Sequence, residues 1–122
     1  MNDSNITVAF FGVAFDATDA ARAAGFWATV LGRNVAEGAT EHDAVVEAGD
    51  PSGGPRLAFH QVPEGKRIKN RFHPDLITTD YEGATERLLT LGATKISELE
   101  RASARWTTFA DPEGNEFDLI AG

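Results

Sequence analysis

The chain is 122 residues long, enough for one domain with a real core and too short for two full ones. Hydrophobic residues make up 42% and charged residues 25%, the balance of a folded globular protein rather than a disordered chain. A formal net charge of −8 would repel a phosphate backbone, which argues against nucleic acid as a partner, and the absence of cysteine excludes a disulfide framework and thiolate chemistry.

The first residues, Met1-Asn-Asp-Ser-Asn-Ile6, have neither the basic start nor the apolar run of a secretory signal. No later stretch reaches membrane-spanning length, so a cytoplasmic location away from membranes is expected. Ile6 to Phe15 is rich in β-branched and aromatic residues and predicts a strand covered on both faces. Asp16-Ala-Thr-Asp19 then offers N-caps, and the alanine-rich run to Leu31 stops at Gly32, which predicts a helix. Ala20, Ala23, Phe26, Trp27, Val30 and Leu31 fall at helical spacing, so Phe26 and Trp27 read as core packed on a sheet.

Three short strand-like pieces follow, around Asn34 to Glu37, His42 to Glu47 and Arg56 to Val62, with Asp50-Pro-Ser-Gly-Gly-Pro55 as a turn. The basic run Lys66-Arg67-Ile-Lys69-Asn-Arg71 reads as a solvated connector. Phe72 to Thr79 then predicts a strand, Asp80 an N-cap, and Tyr81 to Leu91 a helix stopped by Gly92. Lys95 to Leu99, Arg105 to Ala110 and Asn115 to Ile120 predict three more strands. Asp111-Pro-Glu-Gly114 is turn chemistry and joins the last two as a hairpin. Beyond it Glu116 and Asp118 project from one face while Phe117 and Leu119 project from the other.

The two halves share one order of elements. Asp19 lies thirteen residues before Gly32 and Asp80 twelve before Gly92, so the halves register with a shift of about sixty residues. Module 1 covers about 6–63 and module 2 about 71–122.

Asp111-Pro-Glu-Gly-Asn115, followed by Asp118 four residues after the glycine, resembles the last hairpin of the glyoxalase and bleomycin-resistance proteins, the vicinal oxygen chelate superfamily. The doubled unit resembles that family too, as do Asp16-Ala-Thr-Asp19 leading to Phe26-Trp27 and Leu31-Gly32, and Lys69-Asn-Arg-Phe-His73-Pro-Asp75-Leu76. These last two pieces are similar to a glyoxalase-like subgroup. The resemblance implies an α+β fold: two βαβββ modules forming a curved mixed sheet or partial barrel, with the helices packed on the outer face.

It also implies four ligand-bearing positions on the concave face, two in each half. In the second half these are His73 and Asp118, the expected metal ligands. Carried back by the same shift, they fall on Gly12 and Ala58, neither of which can bind a metal. A catalytic divalent site typically needs three protein ligands and an open position, so His73 with Asp118 is one short. Asp75, Glu116 and His60 lie two residues from the family positions on the same faces and are the neighbours that could complete a site. Without a metal, His73 reads as a histidine paired with Asp118 or Asp75 in a satisfied polar cluster. Asp75 or Asp118 beside His73 would then be the candidates for acid–base work. His42 and His60 read as exposed strand or loop residues. Arg56 and Glu116 occupy matching places in the two halves, which suggests a charge pair across the concave floor.

Two functions follow from the resemblance. One is a homodimeric binding protein that takes up a small organic ligand without a full metal site, as the bleomycin-resistance branch sequesters its drug. Phe10, Trp106 and Phe109 would stack on a flat ligand, Arg56, His73, Asp75, Glu116 and Asp118 would hold it, and the acidic surface would favour a cationic, antibiotic-like molecule. The other is a divalent-metal-dependent enzyme, an isomerase or lyase, an extradiol dioxygenase or a thiol transferase, with the metal polarising vicinal oxygens of the substrate.

Overall fold

Two aspartates and two glycines set the helix ends. In the computed structural model, which describes residues 6, 8–49 and 53–122, helix α1 (Ala20–Leu31) begins where the Asp19 carboxylate accepts the Arg22 N–H and ends at Gly32 with φ 65°. Helix α2 (Tyr81–Leu91) begins where Asp80 accepts the Gly83 N–H and ends at Gly92 with φ 113°. Both stops use the left-handed conformation that glycine adopts without a Cβ penalty.

Seven strands surround these helices among the described residues: β1 (Gly12–Ala17), β2 (Asp43–Val46), β3 (Arg56–Gln61), β4 (Asp75–Thr78), β5 (Thr94–Arg101), β6 (Ala104–Ala110) and β7 (Glu116–Ala121). They form two mixed sheets, ordered β1-β3-β2 and β4-β7-β6-β5, which do not close into a barrel. Within each sheet the module's first and last strands run parallel, β1 beside β3 and β4 beside β7. Ala14 faces Ala58 in the first ladder and Asp75 faces Asp118 in the second, so the doubled unit keeps its register in three dimensions.

Three expectations need adjustment, one being the strand expected over Phe72 to Thr79, which runs only from Asp75 to Thr78 and leaves His73 just ahead of it. The strand expected from Ile6 starts at Gly12. The piece expected over Asn34 to Glu37 supplies only a bridge between Val35 and Val46, leaving module 1 a strand short of module 2. Met1 to Asn5, Thr7, and Asp50 to Ser52 of the proposed turn lie outside the described residues.

One core serves both modules. Alternation turns Phe15, Ala17, Leu57 and Phe59 of the first sheet and Phe109, Phe117 and Leu119 of the second toward the helices, where all are buried. Phe59 stacks on Phe15 at 4.9 Å, Phe15 meets Trp27 at 5.4 Å, and Trp27 packs edge-on against Phe117 at 4.9 Å. Phe26 and Trp27 are therefore core residues, with Trp27 fully buried and its indole N–H donated to Asp111 at 2.9 Å. The hairpin turn closes the same seam: Glu113 accepts hydrogen bonds from the Thr18 and Asp19 backbones and pairs with Arg22 at 2.8 Å. The chain thus ties the start of α1 to the β6–β7 turn, which fixes one module against the other. No helix among the described residues is long and apolar enough to cross a membrane.

Candidate functional site

On β7 the core takes Phe117 and Leu119, which leaves Asp118 on the opposite, helix-free face of the sheet. Its neighbour across the parallel ladder is Asp75, and the Asp118 N–H donates to the Pro74 carbonyl at 3.0 Å. His73 approaches from just ahead of β4, with Nδ1 3.2 Å from an Asp75 oxygen and 3.6 Å from an Asp118 oxygen. On the other side, Thr108 of β6 stands directly opposite Asp118 and donates its hydroxyl to the second carboxylate oxygen at 2.5 Å. Asp118 is thereby oriented from one flank and partnered from the other. Its side chain is 15% exposed against 38% for His73 and 55% for Asp75, so the cluster opens to solvent on the His73–Asp75 side.

One donor atom from each of His73, Asp75 and Asp118 lies within 4.8 Å of the other two. A first-row divalent cation sits about 2.0–2.2 Å from nitrogen and oxygen ligands, which puts neighbouring donors roughly 3–4 Å apart. The two His73 distances already meet that spacing. One imidazole with two carboxylates suits manganese, iron or zinc, and three protein ligands leave positions for water or a bound molecule. The residues present therefore fit a cation.

Of the three neighbours that could complete the expected pair, the structure brings in Asp75 alone. Glu116 is committed elsewhere: Lys66 Nζ lies at 2.8 Å and Lys69 Nζ at 3.1 Å from its oxygens, and Asn70 accepts its backbone N–H. Burial pushes the Glu116 carboxyl pKa up, but the hydrogen bonds and charges of the two lysines bring it to a net value below the usual one. The expected Arg56–Glu116 pair is replaced by these contacts, and Arg56 instead stands over the Phe11 ring at 4.9 Å. The basic run is thus an anchored strap rather than a freely solvated connector. His60 pairs with Asp43 at 2.9 Å and His42 with Gln61 at 2.6 Å, both on the first sheet.

Gly12 and Ala58 hold the first-sheet positions matching His73 and Asp118, and a Cβ on Gly12 would meet the Arg56 carbonyl oxygen at 2.6 Å. Among the aromatics proposed to stack on a ligand, Phe109 is excluded by full burial in the core. Phe10 is 77% exposed, and Trp106 lies half-buried on the face that carries Asp118.

A cleft of about 890 Å³ lies between β1 and β4 and reaches His73 and Asp75. Its walls include Val13, Leu31, Leu57 and Leu76, and Arg33 and Arg71 also line it. The cleft is therefore apolar along these walls and carries charged residues of both signs, with Asp16, Asp75 and Glu116 beside the two arginines. Thr108 was not singled out from sequence, although pairing back from the Asp111–Asn115 turn puts it opposite Asp118. Lys66, Lys69 and Asn70 carry no such local signal, because a connector's route is set by its long-range partners.

A family model described as a glyoxalase-like domain matches residues 12–120. No curated protein sequence matches the chain. Among solved structures, the fosfomycin resistance protein FosX of Listeria monocytogenes, in an E126Q form complexed with Mn(II) and 1S,2S-dihydroxypropylphosphonic acid, aligns with a TM-score of 0.74 at 15% identity, covering 96% of this chain and 92% of its own. FosX of Mesorhizobium loti aligns at 0.72 with 18% identity, covering 96% and 94%. A glyoxalase/bleomycin resistance protein/dioxygenase family enzyme of Burkholderia phytofirmans aligns at 0.70 with 18% identity, covering 92% and 98%. At these identities the likeness is one of fold.

Proposed function

The chain belongs to the glyoxalase-like family of the vicinal oxygen chelate superfamily, and on that premise we propose that it binds a small oxygen-bearing organic molecule through a divalent cation held by His73, Asp75 and Asp118. The observation that supports this reading is the convergence of three donor atoms within 4.8 Å on the open face of the second sheet. Asp75 is the third ligand that the sequence pattern leaves unassigned, and Thr108 steadies Asp118 as outer partners commonly steady metal ligands. A bound cation would supply Lewis acidity toward two neighbouring oxygens of the ligand. The chain's own part is to fix the two carboxylates in one ladder row, to keep His73 beside them and to leave the exposed side free for the incoming molecule. The FosX neighbour holds Mn(II) together with a dihydroxy compound, which makes Mn(II) the first cation to try.

Uptake without a cation is the second reading, favoured by the apolar walls of the cleft beside the cluster. Exposed Phe10 and Phe72 around that cleft support the expectation of a homodimer.

Calorimetric titration of metal-stripped protein with Mn(II) and Zn(II) tests the proposal. One cation per chain is expected, with affinity reduced at least about a hundredfold in each of His73→Ala, Asp75→Asn and Asp118→Asn. Protein that takes up no divalent cation, yet still binds aromatic drugs, would replace this reading with the cation-free one.

A further inference from the structure

Three donors make the cluster, but only two of them sit in paired strands. Asp75 and Asp118 face each other in the β4–β7 ladder. His73 belongs instead to the strap, the segment of residues 62–74 between β3 and β4, which forms neither helix nor strand. Among the described residues, no backbone group from Pro63 to His73 bonds to another backbone group. Nor does an apolar side chain pin the strap down, since Ile68 is 82% exposed and Phe72 93%.

From Pro63 to His73 every residue is exposed except Lys66 and Asn70, and both of these bond to Glu116. Lys66 Nζ donates to one Glu116 oxygen at 2.8 Å, Lys69 Nζ to the other at 3.1 Å, and the Glu116 N–H donates to the Asn70 side-chain oxygen at 2.9 Å. Glu116 stands on β7 two residues before Asp118, about 7 Å along the strand. The strap is therefore fastened to β7 by this clasp and again where His73 meets Asp118 at 3.6 Å. Between the two points it lines the cleft opposite β1. The ladder resumes at Pro74, whose carbonyl accepts the Asp118 N–H, so any opening of the strap hinges there and carries His73 with it. A segment with neither ladder nor core anchors lies at the low-stability end of a fold, and its closed position rests on these few charged hydrogen bonds.

From this arrangement we propose, resting on the cation-site reading above, that the strap is a gate on the cluster: clasped on Glu116 it sets His73 against the two aspartates, released it carries His73 away, and cation binding favours the shut form. The coupling runs both ways, because a cation that prefers the closed, three-ligand form must shift the strap toward that form by the same factor. The sign of one effect separates a gate from plain electrostatics. Lys66 and Lys69 are positive charges near the cluster, so their field alone opposes a cation, and removing them would tighten its binding. A gate that loses its clasp should bind the cation more weakly.

The test follows trypsin cleavage after Arg67, a bond within the strap that every variant keeps, together with calorimetric titration of metal-stripped protein with Mn(II). Saturating Mn(II) is expected to slow that cleavage about tenfold or more in the native chain, as preference for the closed form implies. Cleavage of a free peptide of residues 62–73 should not change. Lys66→Met combined with Lys69→Met should be cut faster without metal and bind Mn(II) about fivefold or more weakly. Lys69→Met alone, at a side chain 73% exposed, covers the case in which the double variant folds poorly, and should move both readouts in the same direction. Mn(II) that binds but leaves cleavage unchanged, or that binds these variants as tightly as the native chain or more so, would overturn the gate and leave the cation reading standing. Failure of Mn(II) to bind the native chain would remove both.

Discussion

Asp75 faces Asp118 directly across the parallel ladder of β4 and β7, so two carboxylates share one row with the His73 imidazole beside both. Like charges opposed on a sheet cost about 0.2–1 kcal/mol. In metal-free protein, Asp75→Asn should therefore raise stability by up to about 1 kcal/mol, seen as a melting temperature higher by a few degrees. Mn(II) at about a hundred times its dissociation constant should stabilise the native chain by about 2.7 kcal/mol and the variant by far less, so the order of the two melting temperatures inverts. A variant less stable than the native chain in metal-free buffer would mean that Asp75 serves chiefly as a structural partner of His73.

The Glu113 carboxylate accepts the Thr18 and Asp19 backbone N–H groups at 2.8 and 3.0 Å and the Arg22 guanidinium at 2.8 Å. Burial raises its pKa, but the hydrogen bonds from Thr18, Arg22 and Asp19 outweigh that and leave it below 4.5. A carboxyl with a depressed folded pKa contributes stability above the unfolded value, and that contribution is lost as pH falls through the folded one. Glu113→Gln should cost about 1–3 kcal/mol at pH 7, and in denaturant melts the gap between native and variant should narrow below about pH 4.5. Asp111 works in the opposite sense, because burial lifts its carboxyl above 3.8 against the hydrogen bonds from Trp27, Asn115 and Glu113. Its share of stability declines as pH rises through that raised value. A gap that stays constant down to pH 3 would show that Glu113 does not hold the modules together by charge.

Much of this was legible in the chain because it is local. The caps Asp19, Gly32, Asp80 and Gly92, the Asp111–Asn115 turn and the alternation from Glu116 onward each depend on residues a few positions apart, and each is where spacing puts it. The shift of about sixty residues also survives, since Ala58 and Asp118 hold matching ladder places. What depended on a long-range choice was harder. Symmetry between the halves gave Glu116 Arg56 as its partner, and only the route of the connector brings Lys66 and Lys69 to it instead. Phe109 lies three residues from Trp106, so alternation puts it on the opposite face, where it stacks on Phe117 in the core. In Asn34 to Glu37 only Val35 favours a strand, and it alone forms a bridge, to Val46.

Glu116 holds the strap. Its side chain is 10% exposed, and removing its charge would leave Lys66, itself 19% exposed, without the partner that offsets its burial. Glu116→Gln should loosen residues 64–71 and raise trypsin cleavage after Lys66, Arg67 or Lys69 roughly tenfold or more, as the loss of a charged hydrogen bond of about 1.5–3 kcal/mol implies. Mass spectrometry of the early fragments locates the cut. Cleavage at the native rate would assign the strap's position to Asn70 and the backbone instead.

The empty front half has a steric cause that can be tested. Gly12 is the first-sheet counterpart of His73, and a Cβ there would come within 2.6 Å of the Arg56 carbonyl oxygen, a backbone atom that cannot swing aside. Its φ is not in the left-handed region, so the demand is for space rather than for glycine's conformational range. Ala58, the counterpart of Asp118, is 4% exposed, and a carboxylate placed there would be buried without a partner. Gly12→Ala alone should therefore destabilise the chain by about 1–3 kcal/mol through forced separation of β1 from β3. The double variant Gly12→His with Ala58→Asp should fold poorly and take up no second cation. If Gly12→Ala melts with the native chain, close strand packing is not what bars a ligand from this position. A second equivalent of cation bound by the double variant would show that the front half lost its site by substitution alone and could regain it.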